Sequence, residues 1–442
     1  MNFMGLRSPA AEKFPEEKRI GWLGEETNMN EETLRVNGRR LRKSLEAMAR
    51  IGATAGGGVS RLALSDEDRE ARSLLIQWLR EIDLEVAVDE MGNIFGKRPG
   101  LRTDLAPVMS GSHVDSQPMG GRFDGILGVM GMLEVLRTLQ ENRVETRRPL
   151  AIVDWTNEEG SRFSPAMMGS GVWAGILDRE WAYSRSDLVG KKVGEELERI
   201  GFKGASPCRK WPVHAYFELH IEQGPVLERE GRVLGSPEGI VGILWADAHV
   251  QGKANQVGPT PMEGRNDALC AAAEMILRVN ELPAKMGGNL VATVGEIQNY
   301  PNSRNIIPEK VRFTLDVRSW DDDLVQRAWD ELKRDFQKAS RKRGCPVRLE
   351  EIWRVEHAPF APRLVQMVRE TSRRLGLDPF PMVSGAGHDA SYMNRVAPTA
   401  MIFVPSLGGR SHAEAEKTSW EDCEAGANVL LQCVLQTAND QV

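Results

Sequence analysis

Histidine is scarce in this 442-residue chain, seven in all, and four of them (His113, His220, His388 and His412) stand where a strand is expected to end or in a Gly/Ser-rich loop. Gly111-Ser112-His113-Val114-Asp115 follows the apolar run Pro107-Val108-Met109. Gly121-Arg122-Phe123-Asp124-Gly125 opens into the apolar-periodic stretch Ile126–Leu139. A strand would bring an imidazole to its C-terminal end and a carboxylate would sit at the mouth of a helix, the edge at which open α/β sheets collect ligands. Imidazole and carboxylate together suit a divalent metal, although the pair alone could as well be a loop-stabilising hydrogen bond. Asn157-Glu158-Glu159-Gly160 ends another apolar run. Successive side chains diverge on extended backbone, so one glutamate can bind metal while its neighbour faces the open coordination position as a general base. His113, Asp124, Glu159, His220 and His412 would satisfy two metals if Asp124 bridges them. Two cations about 3.5–4 Å apart polarise a carbonyl and supply a nucleophile near neutral pH.

The elements that must position these residues read as an α/β pattern. Residues 28–50 look helical, and Ser65-Asp66-Glu67-Asp68 opens a helix to Ile82 with acidic residues in its first turn, where the helix dipole favours them. Leu84–Val88 and Asn93–Lys97 alternate like paired strands, and Leu150–Trp155 reads as a buried parallel strand. Helix and loop alternate to about Gly201, strand Ala215–His220 follows, and Gly239–Gly242 looks like a hinge. Beyond it stand strand Ile243–Val250, helix Asn266–Val279, strands Leu290–Gly295 and Lys310–Val317, helix Asp322–Arg343 and strand Pro346–Trp353. Residues 242–357 are therefore expected to form an inserted second domain with an antiparallel-leaning sheet. The first domain, 1–241, resumes over 358–442 with helix Leu364–Leu375, loop Ser384–Asp389, strand Pro398–Val404, loop Gly408–His412 and helix Trp420–Ala438.

Composition bounds the partners. A net charge of −6 offers no basic field for nucleic acid or an anionic membrane surface. No apolar run approaches the ~18 residues of a membrane span, and Met1–Glu17 lacks the apolar core of a secretory signal. Five scattered cysteines without a CxxC read as free thiols in a reducing compartment, so the expected location is the cytoplasm. They serve best as small core fillers. His214, His249 and His357 read as structural.

The motifs GSHVDSQPMGGRFDG (111–125), WTNEEGSRF (155–163), HIEQGP (220–225), GPTPMEGRNDAL (258–269), NIIP (305–308), DVR (316–318), SGAGHDA (384–390) and SHAEAE (411–416) run in order through the chain. Together they resemble the hydantoinase/carbamoylase branch of the dinuclear-metal amidohydrolases, related to aminoacylases and aminopeptidases. That branch includes N-carbamoyl-L-amino acid hydrolases, β-ureidopropionase and allantoate amidohydrolase. The DSQP wording and the run Pro165–Gly171 lean towards the first two. The resemblance implies a metal-binding catalytic domain with a smaller lid (242–357) that also dimerises. It implies two divalent ions, Zn²⁺ first with Mn²⁺, Co²⁺ or Ni²⁺ as substitutes, on His113, Asp124, Glu159, His220 and His412, Asp124 bridging. Glu158 would be the base and Asp115 would orient His113. Arg318 would grip the substrate carboxylate with its planar fork, or pair with one of Asp321–Asp323. Asn305 and His388 would hold the carboxylate or carbamoyl group, and Gln223 would add a polar contact. One departure stands in the lid. The family's His-Ala-Gly-Thr-Thr-Pro-Met, whose histidine stabilises the oxyanion in a neighbouring subunit, here reads Gln256-Val257-Gly258-Pro259-Thr260-Pro261-Met262. Gln256 can donate a neutral hydrogen bond but cannot be cationic, and losing one oxyanion donor costs ~10²–10³ in rate. Met119 also stands where a polar residue is common. The expected reaction is hydrolysis of an N-carbamoyl amino acid, α or β. An N-acyl amino acid amidase or dipeptidase, and a slow or silent homologue acting as a binding protein, are the alternatives that Gln256 favours.

Overall fold

Two sheets organise the computed structural model, which describes residues 33–440; the readings of Met1–Glu17 and of the start of the first helix at 28–32 lie outside them. The larger sheet has nine strands. Its path runs Glu85–Val88, Ile94–Arg98, Leu150–Asp154, Val108–Ser112, Ala215–Ile221, Thr399–Val404, Gly235–Ile240 and Ala358–Pro359, with Phe380–Ser384 also paired to Gly235–Ile240. The four strands from Leu150–Asp154 to Thr399–Val404 are parallel to one another and buried along their whole length. This explains why they read as continuous apolar runs rather than alternating ones. Helices Ile126–Glu141 and Trp420–Asn439 pack on these strands and on each other. Burial of both around most of their circumference accounts for their largely apolar sequence, over Ile126–Leu136 in the first and Val429–Leu435 in the second. Phe95, Trp155 and Trp173 interlock in a separate cluster, with Trp155 and Trp173 ring centroids 5.4 Å apart.

The smaller sheet is antiparallel throughout and lies wholly within 242–355: Ile297–Tyr300, Lys310–Ser319, Gly242–Gln251 and Val347–Val355 in order, with Val291–Thr293 beside Lys310–Ser319. Leu244, Ala246, Ala248 and Val250 alternate with Trp245, Asp247 and His249. The first set packs with Val311, Phe313, Leu315 and Val317 under helices Ala268–Met286 and Asp322–Arg343. The same period of two sends Arg312, Thr314, Asp316 and Arg318 to the opposite face. Asp267 and Asp321 cap the two helices by accepting backbone N–H groups.

The stretch read as a hinge, Gly239–Gly242, is the junction of two strands, Gly235–Ile240 of the larger sheet and Gly242–Gln251 of the smaller, that meet at Val241. Gly235-Ser236-Pro237-Glu238-Gly239 carries the residues of a loop. Pairing with Phe380–Ser384, parallel, and Ala358–Pro359, antiparallel, overrides that local preference. Helix Ala268–Met286 also runs a full seven residues past Val279, through Pro283.

Beneath the ends of the central strands lies a buried ionic group. Arg72, fully buried, donates to Asp68 at 2.7 Å, to the Gly92 carbonyl at 2.9 Å and to Thr156 at 3.2 Å, with Asp154 at 3.5 Å. Asp154 in turn accepts the Val114 N–H at 3.0 Å. Removing one member of such a group strands the others without a counter-charge. Arg72→Met is expected to cost about 3–5 kcal/mol of stability, read as a lowered urea midpoint at unchanged slope. A loss below about 1 kcal/mol would show that the network does not brace the fold.

Candidate active site

His113 stands just past Val108–Ser112, 1% exposed, and Gly125 explains its close seat: with φ +66, a Cβ there would lie 2.3 Å from the imidazole. The His113 Nδ1–H donates to the backbone carbonyl of Asp115 at 3.0 Å, which leaves Nε2 as the lone-pair atom, 3.4 Å from Glu158 Oε2. The Asp115 carboxylate lies 3.7 Å from the same Nδ1 and does further work. It accepts the N–H groups of Glu158 at 3.1 Å and Glu159 at 3.2 Å, so it fixes the turn on which both glutamates ride. Asn157 opens that turn at φ 56 and anchors it through its amide to the carbonyls of Phe163 and Pro165.

Asp124 divides its two oxygens. Oδ1 lies 3.3 Å from His220 Nε2 and Oδ2 lies 3.1 Å from His412 Nε2. His412 is also 3.4 Å from Glu159 Oε2, which Gln117 Nε2 approaches at 2.8 Å. One donor set, His113, Asp124 and His220, has its ligand atoms all within 4.8 Å of one another. A second, Asp124, Glu159 and His412, does the same, and Asp124 belongs to both. Gln223 donates to Asp124 Oδ2 at 2.8 Å and sits 3.2 Å from His412, so it braces the shared carboxylate. Asn157, Gln223 and His412 all hold left-handed backbone conformations, which cost energy and gather at working sites.

The electrostatics suit a cation. Burial pushes His113 down to about 4, hence to the neutral imidazole a metal needs. Burial lifts Glu159 to about 8 and raises Glu158 well above the carboxylate range, with Asp389 and Glu159 adding repulsion to the latter. Burial also opposes the ionised form of Asp124, but the hydrogen bond and charge of His412 hold it well below its ordinary value. At His412 burial works against protonation, yet the Glu159 and Asp124 carboxylates drive the ring up to about 10. A divalent ion can take the place of that proton.

The cluster opens into a cavity of about 730 Å³ between the two sheets, walled by Trp245, Arg318, Ile352 and Trp353 on one side and by His388 and the 160–164 loop on others. Arg318 points at it from the polar face of the smaller sheet. Its fork is held by Asp316 on the same strand, at 2.8 and 2.7 Å, and Nη1 donates to the Gly385 carbonyl at 3.1 Å. The sequence offered Asp321–Asp323 as its ion-pair partners, but the strand period places Asp316 on the same face and the helix cap takes Asp321 away. Three of the five guanidinium N–H donors are thus engaged. His388, 1% exposed, pairs its Nε2 with Ser384 Oγ at 2.9 Å and stacks edge-on to His220, centroids 4.4 Å apart.

Residues 109–436 match Peptidase family M20/M25/M40. The chain belongs to that family. It is 42% identical over 407 residues to an N-carbamoyl-L-amino-acid amidohydrolase of Rhizobium meliloti, covering 92% of this chain and 98% of that one. It is 36% identical over 410 residues to an N-carbamoyl-L-amino acid amidohydrolase of Geobacillus stearothermophilus, covering 92% and 100%. A solved amidase of the hydantoinase/carbamoylase family from Burkholderia vietnamiensis superposes with a TM-score of 0.91 at 46% identity, over 93% of this chain and 99% of that chain. Within M20 the chain falls in the hydantoinase/carbamoylase branch, and it is a hydrolase of amide C–N bonds.

Two of the residues singled out in this M20 chain stand apart from the cluster. Gln256 lies in a two-stranded ribbon, Asn255–Gln256 against Ile306–Ile307, Asn305 just precedes its second strand, and both are exposed. Gln256 Oε1 accepts the Gly258 N–H at 2.5 Å, and Asn305 accepts the Val257 N–H on its carbonyl at 3.1 Å. Arg265 stiffens the loop by donating to the carbonyls of Pro261, Val257 and Thr260. Residues the sequence reading did not single out are Gln117, Ser411, Glu416 and Asp316. All four sit inside motifs named above, Asp316 in DVR (316–318), so their position was visible although their partners were not. All five cysteines are free thiols, and no helix among the described residues is long and apolar enough to cross a membrane.

Proposed function

We propose that this chain hydrolyses the ureido C–N bond of an N-carbamoyl amino acid, giving the amino acid, CO₂ and ammonia. Two divalent cations, zinc first, would be held by His113, Asp124 and His220 and by Asp124, Glu159 and His412. The observation that carries this reading is the division of Asp124, one oxygen toward His220 at 3.3 Å and the other toward His412 at 3.1 Å. The names of the two amidohydrolase relatives support the substrate class. Such a cation pair polarises the substrate carbonyl and acidifies water. Glu158, at the mouth of the cluster, takes the proton from the attacking water on a carboxylate oxygen and delivers it to the leaving nitrogen. Asp115 keeps Glu158 and Glu159 aimed through their backbone N–H groups. Arg318 uses its remaining donors on the substrate carboxylate, with His388 beside it. Trp245 and Ile352 offer apolar surface to a substrate side chain, which favours an α-amino acid derivative over N-carbamoyl-β-alanine.

The test is ammonia release from N-carbamoyl, N-acyl and ureido substrates by protein stripped with chelator and reloaded with Zn²⁺, Mn²⁺, Co²⁺ or Ni²⁺. Turnover of N-carbamoyl amino acids that disappears on stripping and returns with metal is expected. Turnover of N-acyl amino acids alone would replace the reading with the amidase one. Arg318→Ala should raise KM for carboxylate substrates by about 10²-fold or more, the weight of a charged bidentate contact, while an unchanged KM would exclude Arg318 as the anchor.

The ribbon bearing Gln256 and Asn305 is read as part of a lid and dimerisation domain, 242–357, that reaches the pocket of a partner subunit in a homodimer. Its exposure and its own internal bracing support a role outside this chain's own cavity. Gln256→His should raise kcat by about tenfold, part of the 10²–10³ that one oxyanion donor contributes. No gain in a variant of unchanged sedimentation would mean that the pocket has been reshaped around glutamine.

A further inference from the structure

Ser411-His412-Ala413-Glu414-Ala415-Glu416 carries, besides His412, a buried carboxylate for which the chemistry above has no use. Glu416 is 3% exposed. Its Oε1 accepts two consecutive backbone N–H groups, Phe123 at 2.9 Å and Asp124 at 3.1 Å. Its Oε2 lies 2.8 Å from Ser411 Oγ, and the same hydroxyl lies 3.1 Å from Asp124 Oδ2. The carboxylate rests directly on the backbone of Gly121, where an added Cβ would come 1.8 Å from Glu416 Cδ. Any side chain at 121 would have to displace it. Among the described residues no lysine or arginine forms an ion pair with Glu416, so it is held by two amides and one hydroxyl. A buried carboxylate with so little compensation is costly, and packing alone would be better served by an apolar side chain.

What these contacts share is the geometry of Asp124. One end of the Glu416 carboxylate fixes the peptide from which Asp124 projects. The other end reaches, through Ser411, the Asp124 oxygen that faces His412 and the backbone beside His412 itself. The 121–124 loop and the 411–416 loop are far apart in sequence, and each supplies a donor to the second set. We propose that Glu416 is a positioning residue: it locks these two loops together so that Asp124 presents one oxygen to each donor set, and thereby sets cation affinity. This rests on the two-cation reading.

The experiment measures affinity for Zn²⁺ by competition with a chromophoric chelator, together with the Co²⁺ absorption spectrum, on the full chain below its melting temperature. Outer partners of metal ligands contribute about 10–100-fold in affinity. Glu416→Ala is expected to fall in that range and to alter the Co²⁺ spectrum. Glu416→Gln, whose amide oxygen can still accept both N–H groups, should lose clearly less. Ser411→Ala, which removes the hydroxyl between Glu416 and Asp124 together with its 3.3 Å contact to Gln223, should lose about tenfold, the low end of that range. If Glu416→Ala does not fold, the other two variants decide. Wild-type affinity and spectrum in Ser411→Ala, or a loss in Glu416→Gln as large as in Glu416→Ala, would overturn the proposal, as would a lower melting temperature without any change in affinity. A wild-type protein that binds no divalent cation would overturn the two-cation reading first and this inference with it.

Discussion

Asp124→Asn holds no more than one tightly bound cation per chain, and its kcat falls by roughly 10³-fold or more, the several kcal/mol of charge stabilisation that a metal supplies. The reason is the division of Asp124 between His220 and His412. An asparagine keeps the shape and can still accept from Gln223 or Ser411, but it has one oxygen where the carboxylate has two. Its amide nitrogen would face one of the two donor sets with protons rather than lone pairs. Metal content of dialysed protein and circular dichroism check the outcome together. Two retained cations in a folded variant would show that the carboxylate does not bridge. An unfolded variant would call for Asp124→Ser, which removes both carboxylate oxygens and leaves the loop to Glu416.

Much of this site was legible because it is built from strand ends. An apolar run that stops at a histidine or a paired glutamate predicts both the strand and the place where its chemistry emerges, and His113, Glu158, Glu159 and His220 all follow that rule. Helix Asp322–Arg343 was readable almost to the residue, since Asp321 caps it and Gly344 ends it in a left-handed turn. What could not be read were contacts that depend on two distant segments. The N–H cradle of Glu416 needs 121–124 and 411–416 in one place. The strand Gly235–Ile240 exists because three partners, Ala358–Pro359, Phe380–Ser384 and Thr399–Val404, pair with it, against its own glycines and proline. Asp115 was expected to orient His113, and it reaches the ring at Nδ1 through its backbone carbonyl at 3.0 Å and its carboxylate at 3.7 Å; that carboxylate also holds the glutamate turn, which the sequence did not show. Residue type shows that a carboxylate is present, and only the fold shows which of its atoms is free.

Glu158→Gln should keep both cations and lose about 10²–10⁴ in kcat, the usual contribution of a positioned base. Glu158 Oε2 lies 3.4 Å from His113 Nε2, and Glu158 belongs to none of the close donor sets among the described residues. Neutralising it should therefore spare metal binding. Burial, with Asp389 and Glu159 nearby, raises its pKa, and that favours a group which must accept a proton and then release it. The sign follows from the role. A base works only when ionised, so wild-type activity is expected to fall as pH drops through the Glu158 pKa in the metal-loaded enzyme. In Glu158→Gln that acidic limb should vanish while the residual rate stays low at every pH. A variant with full activity would remove Glu158 from the mechanism. A variant with low activity and an intact acidic limb would assign the titrating proton to another group, Asp389 being the buried carboxylate whose charge acts most strongly on Glu158.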